Sequence, residues 1–317
     1  MRRALGRSQT AALRVLVSLA LLATLAFFLD PSAILNHIGD LEPIWLTAAL
    51  TLGTLQIALS AERWRRTAAR LDVPLGKRRA LADYYIAGFT NQVLPGGIIG
   101  DAGRAWRHSN TSGRPGPAVR AVILERASGQ FVLVLALLAT LVATEPGARL
   151  LARLDSPAGP GWAMALAIMV GGVLAVGLAL IAPGGRMPRW LKSLARDAHC
   201  ALLARRIWPT QLALSLAVVA TYCASFACAG RMIGVDVPAA TLFVIAPVVL
   251  LAMLLPISVA GWGVRETAAA GVWIALGWPA TEGVAVSVAY GALCLLTNLP
   301  GAFVPALTPI RQAWRPS

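Results

Sequence analysis

The sequence predicts an all-α polytopic membrane protein, with six spanning helices and two re-entrant broken-helix hairpins arranged as an inverted repeat. Three observations predict it. Hydrophobic residues make up 57% of the 317 and charged residues 13%, with a mean hydropathy of +0.69, so lipid must be the solvent for most of the chain. Apolar runs long enough to cross a hydrocarbon core of ~30 Å recur along its length. The basic residues behind the net charge of +14 gather in short connections between those runs, which argues against a nucleic-acid-binding face.

The spanning runs fall at about 11–29, 43–60, 121–143, 161–182, 209–230 and 284–304. Arg2, Arg3 and Arg7 precede the first, and no A-x-A cleavage pattern follows it, so it is expected to be an uncleaved helix rather than a secretory signal. Two further apolar stretches, 80–100 and 239–277, contain breaks: Asn91-Gln92-Val93-Leu94-Pro95-Gly96-Gly97 in the first and Pro256 through Gly263 in the second. Non-helical backbone survives at membrane depth only where protein or a water-filled cavity surrounds it.

Loop charge orients these elements. Segment 61–79 holds seven basic residues, including Arg63, Arg65 and Arg66, and segment 101–120 holds four. Both ends of the first broken stretch are therefore expected in the cytoplasm, and the stretch is expected to dip in and return. Loop 30–42 has no Lys or Arg and loop 144–160 balances its charges, which assigns both to the outside, whereas 183–208, with six basic residues, is inside. On this topology 23 of the 28 basic residues are cytoplasmic. It describes a single integral domain, 1–317, in a bacterial inner membrane with both termini cytoplasmic.

An internal repeat follows. Residues 94–104 overlay 255–265 without a gap, matching Leu94, Pro95, Gly100 and Arg104 to Leu255, Pro256, Gly261 and Arg265. The spans recur at similar offsets, giving a first repeat over 1–150 and a second over 151–317. Three crossings per half make the second copy inverted, and matching broken helices in inverted repeats mark a transporter's central binding site. In each break proline ends one helix, glycines (Gly96, Gly97 and Gly100; Gly261 and Gly263) let the chain turn, and a new helix N-terminus exposes amides that suit a phosphate. Arg104 and Arg265, one turn in, are candidates to grip one central headgroup.

Asn91-Gln92-Val93-Leu94-Pro95-Gly96-Gly97-Ile98-Ile99-Gly100-Asp101, the run Ile123-Leu124-Glu125-Arg126-Ala127-Ser128-Gly129, and Gly261-Trp262-Gly263-Val264-Arg265-Glu266 resemble the signature segments of the lysylphosphatidylglycerol synthase transmembrane family, also described as flippase-like. The resemblance spans nearly the whole chain. Members that carry a soluble aminoacyl-transferase domain make aminoacylated phosphatidylglycerol and move it across the bilayer. This chain ends at Ser317 without such a domain, so the resemblance implies the translocating half alone, with an anionic phospholipid or a polyprenyl-phosphate lipid as cargo.

Bland readings stand beside the functional ones. Arg126 either snorkels to the cytoplasmic interface or joins the lipid pathway or a pair with Asp101. Asp101 caps its helix, holds Arg104, or couples protons. Adjacent helix positions diverge by about 100°, so Glu125 and Arg126 are not expected to pair with each other. Arg265 and Glu266 form either a structural ion pair or part of the site. Asn91 binds a headgroup or satisfies the broken helix's own backbone. Trp45, Trp64, Trp106, Trp208 and Trp278 are expected in an interfacial belt, and Glu62-Arg63-Trp64-Arg65-Arg66 is expected to be a lipid-attracting anchor.

Cys200, Cys223, Cys228 and Cys294 lack metal or redox spacing, and His37, His108 and His199 form no ligand motif. No cofactor is implied. No GxxxxGK[ST] loop is present, so transport is expected to be passive, ion-coupled or driven by consumption of the lipid. Two other classes remain open: a membrane enzyme transferring a group to or from a lipid-phosphate, and a regulatory subunit of a lipid-modifying synthase.

Overall fold

The computed structural model describes residues 42–94, 97–153, 170–172, 188–254 and 261–307. Eleven helices and no strand occur among the described residues: α1 (Pro43–Arg70), α2 (Lys77–Val93), α3 (Ile99–Ser112), α4 (Pro115–Ala143), α5 (Glu145–Ala152), α6 (Arg189–Ala198), α7 (Trp208–Met232), α8 (Ala239–Leu251), α9 (Val264–Leu276), α10 (Ala280–Asn298) and α11 (Pro300–Leu307). A π turn, His199–Leu203, extends α6, and a 3₁₀ turn, Ala252–Leu254, extends α8.

Among the described residues four helical stretches are long and apolar enough to cross a membrane: α1, α4, α7 and the continuous α10–α11 stretch Ala280–Val304. They match four of the six expected spans, with α1 running ten residues beyond the expected end at 60. The runs at 11–29 and 161–182 lie outside the described residues, apart from 170–172, which are helical. Proline stands in the first turn of α1, α4 and α7 (Pro43, Pro115 and Pro209), where the missing N–H is no loss and the fixed φ favours entry into a helix.

α1 packs along α7, and α4 and α10 close the bundle around this pair. The larger apolar core joins Val134 and Leu137 of α4, Phe226 of α7, Ile245 of α8, Trp273 of α9 and Tyr290 of α10. A smaller core gathers Trp64 and Ala68 of α1, Leu124 of α4 and Leu194 of α6.

Both broken stretches are helix, break, helix. The first is α2, which ends at Val93, then α3 from Ile99; the second is α8 with its 3₁₀ turn, which ends at Leu254, then α9 from Val264. Gly97 (φ +61°) precedes α3 and Gly263 (φ +87°) precedes α9, left-handed conformations that a side chain resists. α2 and α3 then fold back with their backbones almost touching. A Cβ at Gly100 would lie 2.0 Å from the Ala87 carbonyl oxygen.

The order of α1, α3 and α4 recurs in α7, α9 and α10, first residues 43, 99 and 115 against 208, 264 and 280, a constant offset of 165. The overlay of the two Leu-Pro motifs has an offset of 161. Arg104 is therefore the sixth residue of α3 while Arg265 is the second of α9. Four residues is close to one helical turn, so the two arginines project from similar faces at different depths.

The anchor expected at 62–66 is corrected. α1 stays helical through this segment, which places Arg63 and Trp64 on its buried face; Trp64 is fully buried and belongs to the smaller core rather than to an interfacial belt. Glu62 instead holds Arg65 and Arg66, both at 2.7 Å. Trp106 and Trp208 are exposed, as a belt requires.

Candidate functional site

The first cluster is assembled from four helices. Glu125, on α4, is wholly buried. Its Oε1 accepts from Arg63 Nε at 3.2 Å and Tyr84 OH at 3.2 Å, and Arg63 Nη2 pairs with the same oxygen. Its Oε2 accepts from Arg104 Nη2 at 2.6 Å. One carboxylate thus holds α1, α2 and α3 to α4. Arg63 also donates to Ser215 on α7 at 3.1 Å.

Asp101 performs a similar task at the start of α3. Its Oδ1 accepts from Arg104 Nε at 2.8 Å, and its Oδ2 pairs with Arg126 Nη2 at 2.7 Å. Asn91 donates to Asp101 at 3.2 Å and accepts from the Gly100 N–H at 2.7 Å. It therefore caps α3 from the other side of the break and satisfies one of the amides that sequence left open to an anion. The Arg104 guanidinium is sandwiched, 4.8 Å from the Trp64 ring centroid and 4.5 Å from that of Tyr84, a cation–π arrangement suited to a desolvated arginine.

Among the described residues three arginines face two carboxylates here, leaving one positive charge in surplus. Arg104 is fully buried, whereas the Arg126 side chain is 36% exposed. Among the described residues Arg104 Nη1 and Arg126 Nε have no hydrogen-bond partner, and both atoms are buried. Glu125 and Arg126 point to different neighbours, as their adjacency requires.

The other edge of Trp64 meets His108 of α3 in a T-shaped contact at 5.4 Å. His108 Nε2 donates to the Val73 carbonyl at 3.0 Å. α3 is not among the spanning helices. Burial pushes the His108 pKa down, opposed by the bond to Val73. The unfolded chain then binds a proton more readily than the native one, so this contribution to stability is complete above the ordinary histidine value of about 6.5 and declines as pH falls from there toward the lowered native value. Thermal melts from pH 7.5 to 5 should show a fall in stability that His108→Gln flattens; an unchanged slope in that variant would remove His108 as its source.

The second cluster lies at the start of α9. Arg265 Nη2 donates to Glu266 Oε1 at 2.6 Å, Arg265 Nε donates to Ser287 Oγ at 2.8 Å, and Ser287 donates to the same carboxylate at 3.1 Å. Glu266 Oε2 accepts from the Gly263 N–H at 2.6 Å, capping α9. The ring centroids of Trp262 and Tyr290 lie 5.2 and 5.4 Å from the guanidinium. Arg265, Glu266 and Ser287 are all buried. A Cβ at Gly291 would lie 2.3 Å from Arg265 Nη2, so the arginine lies across a gap in α10 where a larger residue would collide.

Asn91, Gly100, Asp101, Arg104, Glu125 and Arg126 are thus brought together, as are Gly263, Arg265 and Glu266. Gly97 and Gly261 occupy the turns, both at positive φ, and Gly96 lies outside the described residues. In this conformation neither Arg104 nor Arg265 offers a free charge: each is buried against a carboxylate. Arg63, Trp64, Tyr84 and Ser287 are additions that sequence reasoning missed. Among the described residues no group of three or more His, Cys, Asp or Glu side chains is placed to hold a metal.

A family model, Lysylphosphatidylglycerol synthase TM region, matches residues 12–301. The chain belongs to this family. It is a multi-pass membrane protein, and the family associates it with lipid handling. The match covers the residues of both charged clusters and the breaks beside them. No curated protein and no solved structure matches the chain.

Proposed function

We propose that the protein is a flippase-like transporter that moves an anionic phospholipid or polyprenyl-phosphate lipid across a bacterial inner membrane, without enzymatic chemistry or a cofactor. The arrangement is six crossings with two re-entrant hairpins, each built around one break, entering from opposite faces as inverted repeats over 1–150 and 151–317. Both termini are cytoplasmic.

The observation that carries this reading is the first charged cluster. Ionisable groups among spanning helices are expensive and mark substrate or ion pathways. Here five of them meet beside a helix break with one positive charge in surplus, and the arginine at the accessible edge is Arg126. Arg126 meets the headgroup phosphate. Arg104 holds Glu125 and Asp101 in place behind it. The second cluster has no surplus charge, so Arg265 contributes only when its pair with Glu266 opens.

Proteoliposomes with a fluorescent headgroup-labelled anionic phospholipid test the reading through loss of dithionite-protected signal. Protein-containing vesicles should exchange anionic lipid across the bilayer at least tenfold faster than empty ones. Arg126→Gln should remove most of that gain while leaving the melting temperature near wild type, since its side chain is partly exposed. Lack of exchange with either phosphatidylglycerol or a polyprenyl-phosphate would defeat the proposal, and wild-type exchange in Arg126→Gln would remove that residue from it.

A further inference from the structure

α6 separates its residues by face. Leu194, Ala195 and Ala198 are buried against the smaller core, and Asp197 is bound to Arg120 of α4 at 2.5 Å. Arg189, Lys192 and Arg196, three and four residues apart, share the opposite face and are exposed. Beside them stands Trp190, 66% exposed.

The surface continues into the π turn and the residues after it. Leu203 is exposed, Arg205 and Arg206 are exposed, and α7 begins at Trp208, 47% exposed. α7 is a candidate spanning helix, so this surface adjoins the point where the chain enters the bilayer. Gln211 fixes it there: its Nε2 donates to the Ala201 carbonyl and to Thr67 Oγ1, both at 3.3 Å. The link to Thr67 joins the last turns of α1, and the Arg120–Asp197 pair joins the first turns of α4. Three spanning helices therefore end beside this surface, on one side of the membrane.

Five exposed cations are too costly for the hydrocarbon core, while exposed Trp and Leu side chains gain nothing from facing bulk water. The headgroup layer satisfies both. The acid within α6, Asp197, is already occupied by Arg120 and does not offset the cations.

We infer that α6 and the turn behind it form an interfacial foot that lies in the headgroup layer and concentrates anionic phospholipids there. The foot is separate from the charged cluster at the helix breaks. It acts whether or not the protein transports lipid. Its cations attract the negative leaflet, and Trp190, Leu203 and Trp208 seat it at the polar–apolar boundary.

Cys200 provides the probe. Of the four cysteines it is exposed, Cys223 and Cys228 are buried, and Cys294 is intermediate. An environment-sensitive fluorophore on Cys200, in a Cys294→Ser background, is followed in nanodiscs containing either phosphatidylglycerol or phosphatidylcholine with brominated acyl chains at equal mole fraction, the remaining lipid being unbrominated phosphatidylcholine. Quenching by brominated phosphatidylglycerol should exceed that by brominated phosphatidylcholine at least twofold. The excess should vanish in 1 M salt, where screening shortens to about 3 Å, and in R189Q/K192Q/R196Q. The salt arm needs no substitution, so a variant that misfolds does not decide the outcome. Equal quenching by the two lipids at low salt overturns the inference. Absence of quenching by both overturns it too, and would assign this face to water and to a soluble acidic partner.

Discussion

Glu125→Ala is expected to destabilise the protein by about 3–5 kcal/mol, the range seen when one partner of a buried ion pair is removed. The carboxylate serves two arginines at once, so its loss is not confined to one contact. Arg104 keeps Asp101, but among the described residues Arg63 is left with only the Ser215 hydroxyl as a side-chain hydrogen-bond partner, in a site where its side chain is 4% exposed. Glu125→Gln should fall between Ala and wild type, because an amide oxygen still accepts hydrogen bonds but carries no charge. If Arg63 is the stranded charge, Arg63→Gln combined with Glu125→Gln recovers much of the loss. Unfolding in an SDS titration, with wild type and both single variants run in parallel, measures the coupling directly. A Glu125→Ala protein within about 1 kcal/mol of wild type would mean that water reaches these charges.

The four spanning helices were legible because an uninterrupted apolar run of that length matches the thickness of the hydrocarbon core and exceeds what a soluble core helix needs. The two breaks were legible because Pro95 and Pro256 stand inside apolar stretches. The continuation of α1 was not. Basic residues from Arg63 onward look like a cytoplasmic loop when charge alone is counted. Yet Ala49, Gly53, Ile57, Ser60, Trp64 and Thr67 keep a spacing of three to four residues and form one buried stripe. Following that period past residue 60 would have put Trp64 in the core and Arg63 beside it. The ion-pair partners were partly legible, since Asp101 lies three residues before Arg104 on one helix face. The bond between Arg63 and Glu125 was not, because the residues lie 62 apart in the chain and only the packing of α1 on α4 joins them. Nor did the motif overlay foresee that α3 and α9 begin 165 residues apart. The common Leu-Pro and Arg letters drew attention to Arg104 and Arg265, whereas the helix register pairs Asp101 with Glu266, each the third residue of its helix. Each of these acids receives an arginine, and each helix start is capped by a side chain, Asn91 in the first case and Glu266 itself in the second.

That correspondence sets up a second large effect. Glu266→Ala removes the carboxylate bound to the buried Arg265 and also uncaps α9 at Gly263, so a loss of about 3–5 kcal/mol is again expected. The double variant R265M/E266Q behaves differently. Glutamine can still accept from the Gly263 N–H, methionine fills much of the arginine stem's volume between Trp262 and Tyr290, and no unpaired charge is left in the interior. Replacing a whole buried pair by groups of similar volume is often neutral or stabilising, so SDS unfolding of R265M/E266Q should return close to wild type. Lipid exchange then separates the two meanings of the pair. A brace that only holds α9 to α10 gives a double variant that is stable and still exchanges lipid. A pair that opens to receive the headgroup gives one that is stable and at least tenfold slower, since the charge that would meet the phosphate is gone.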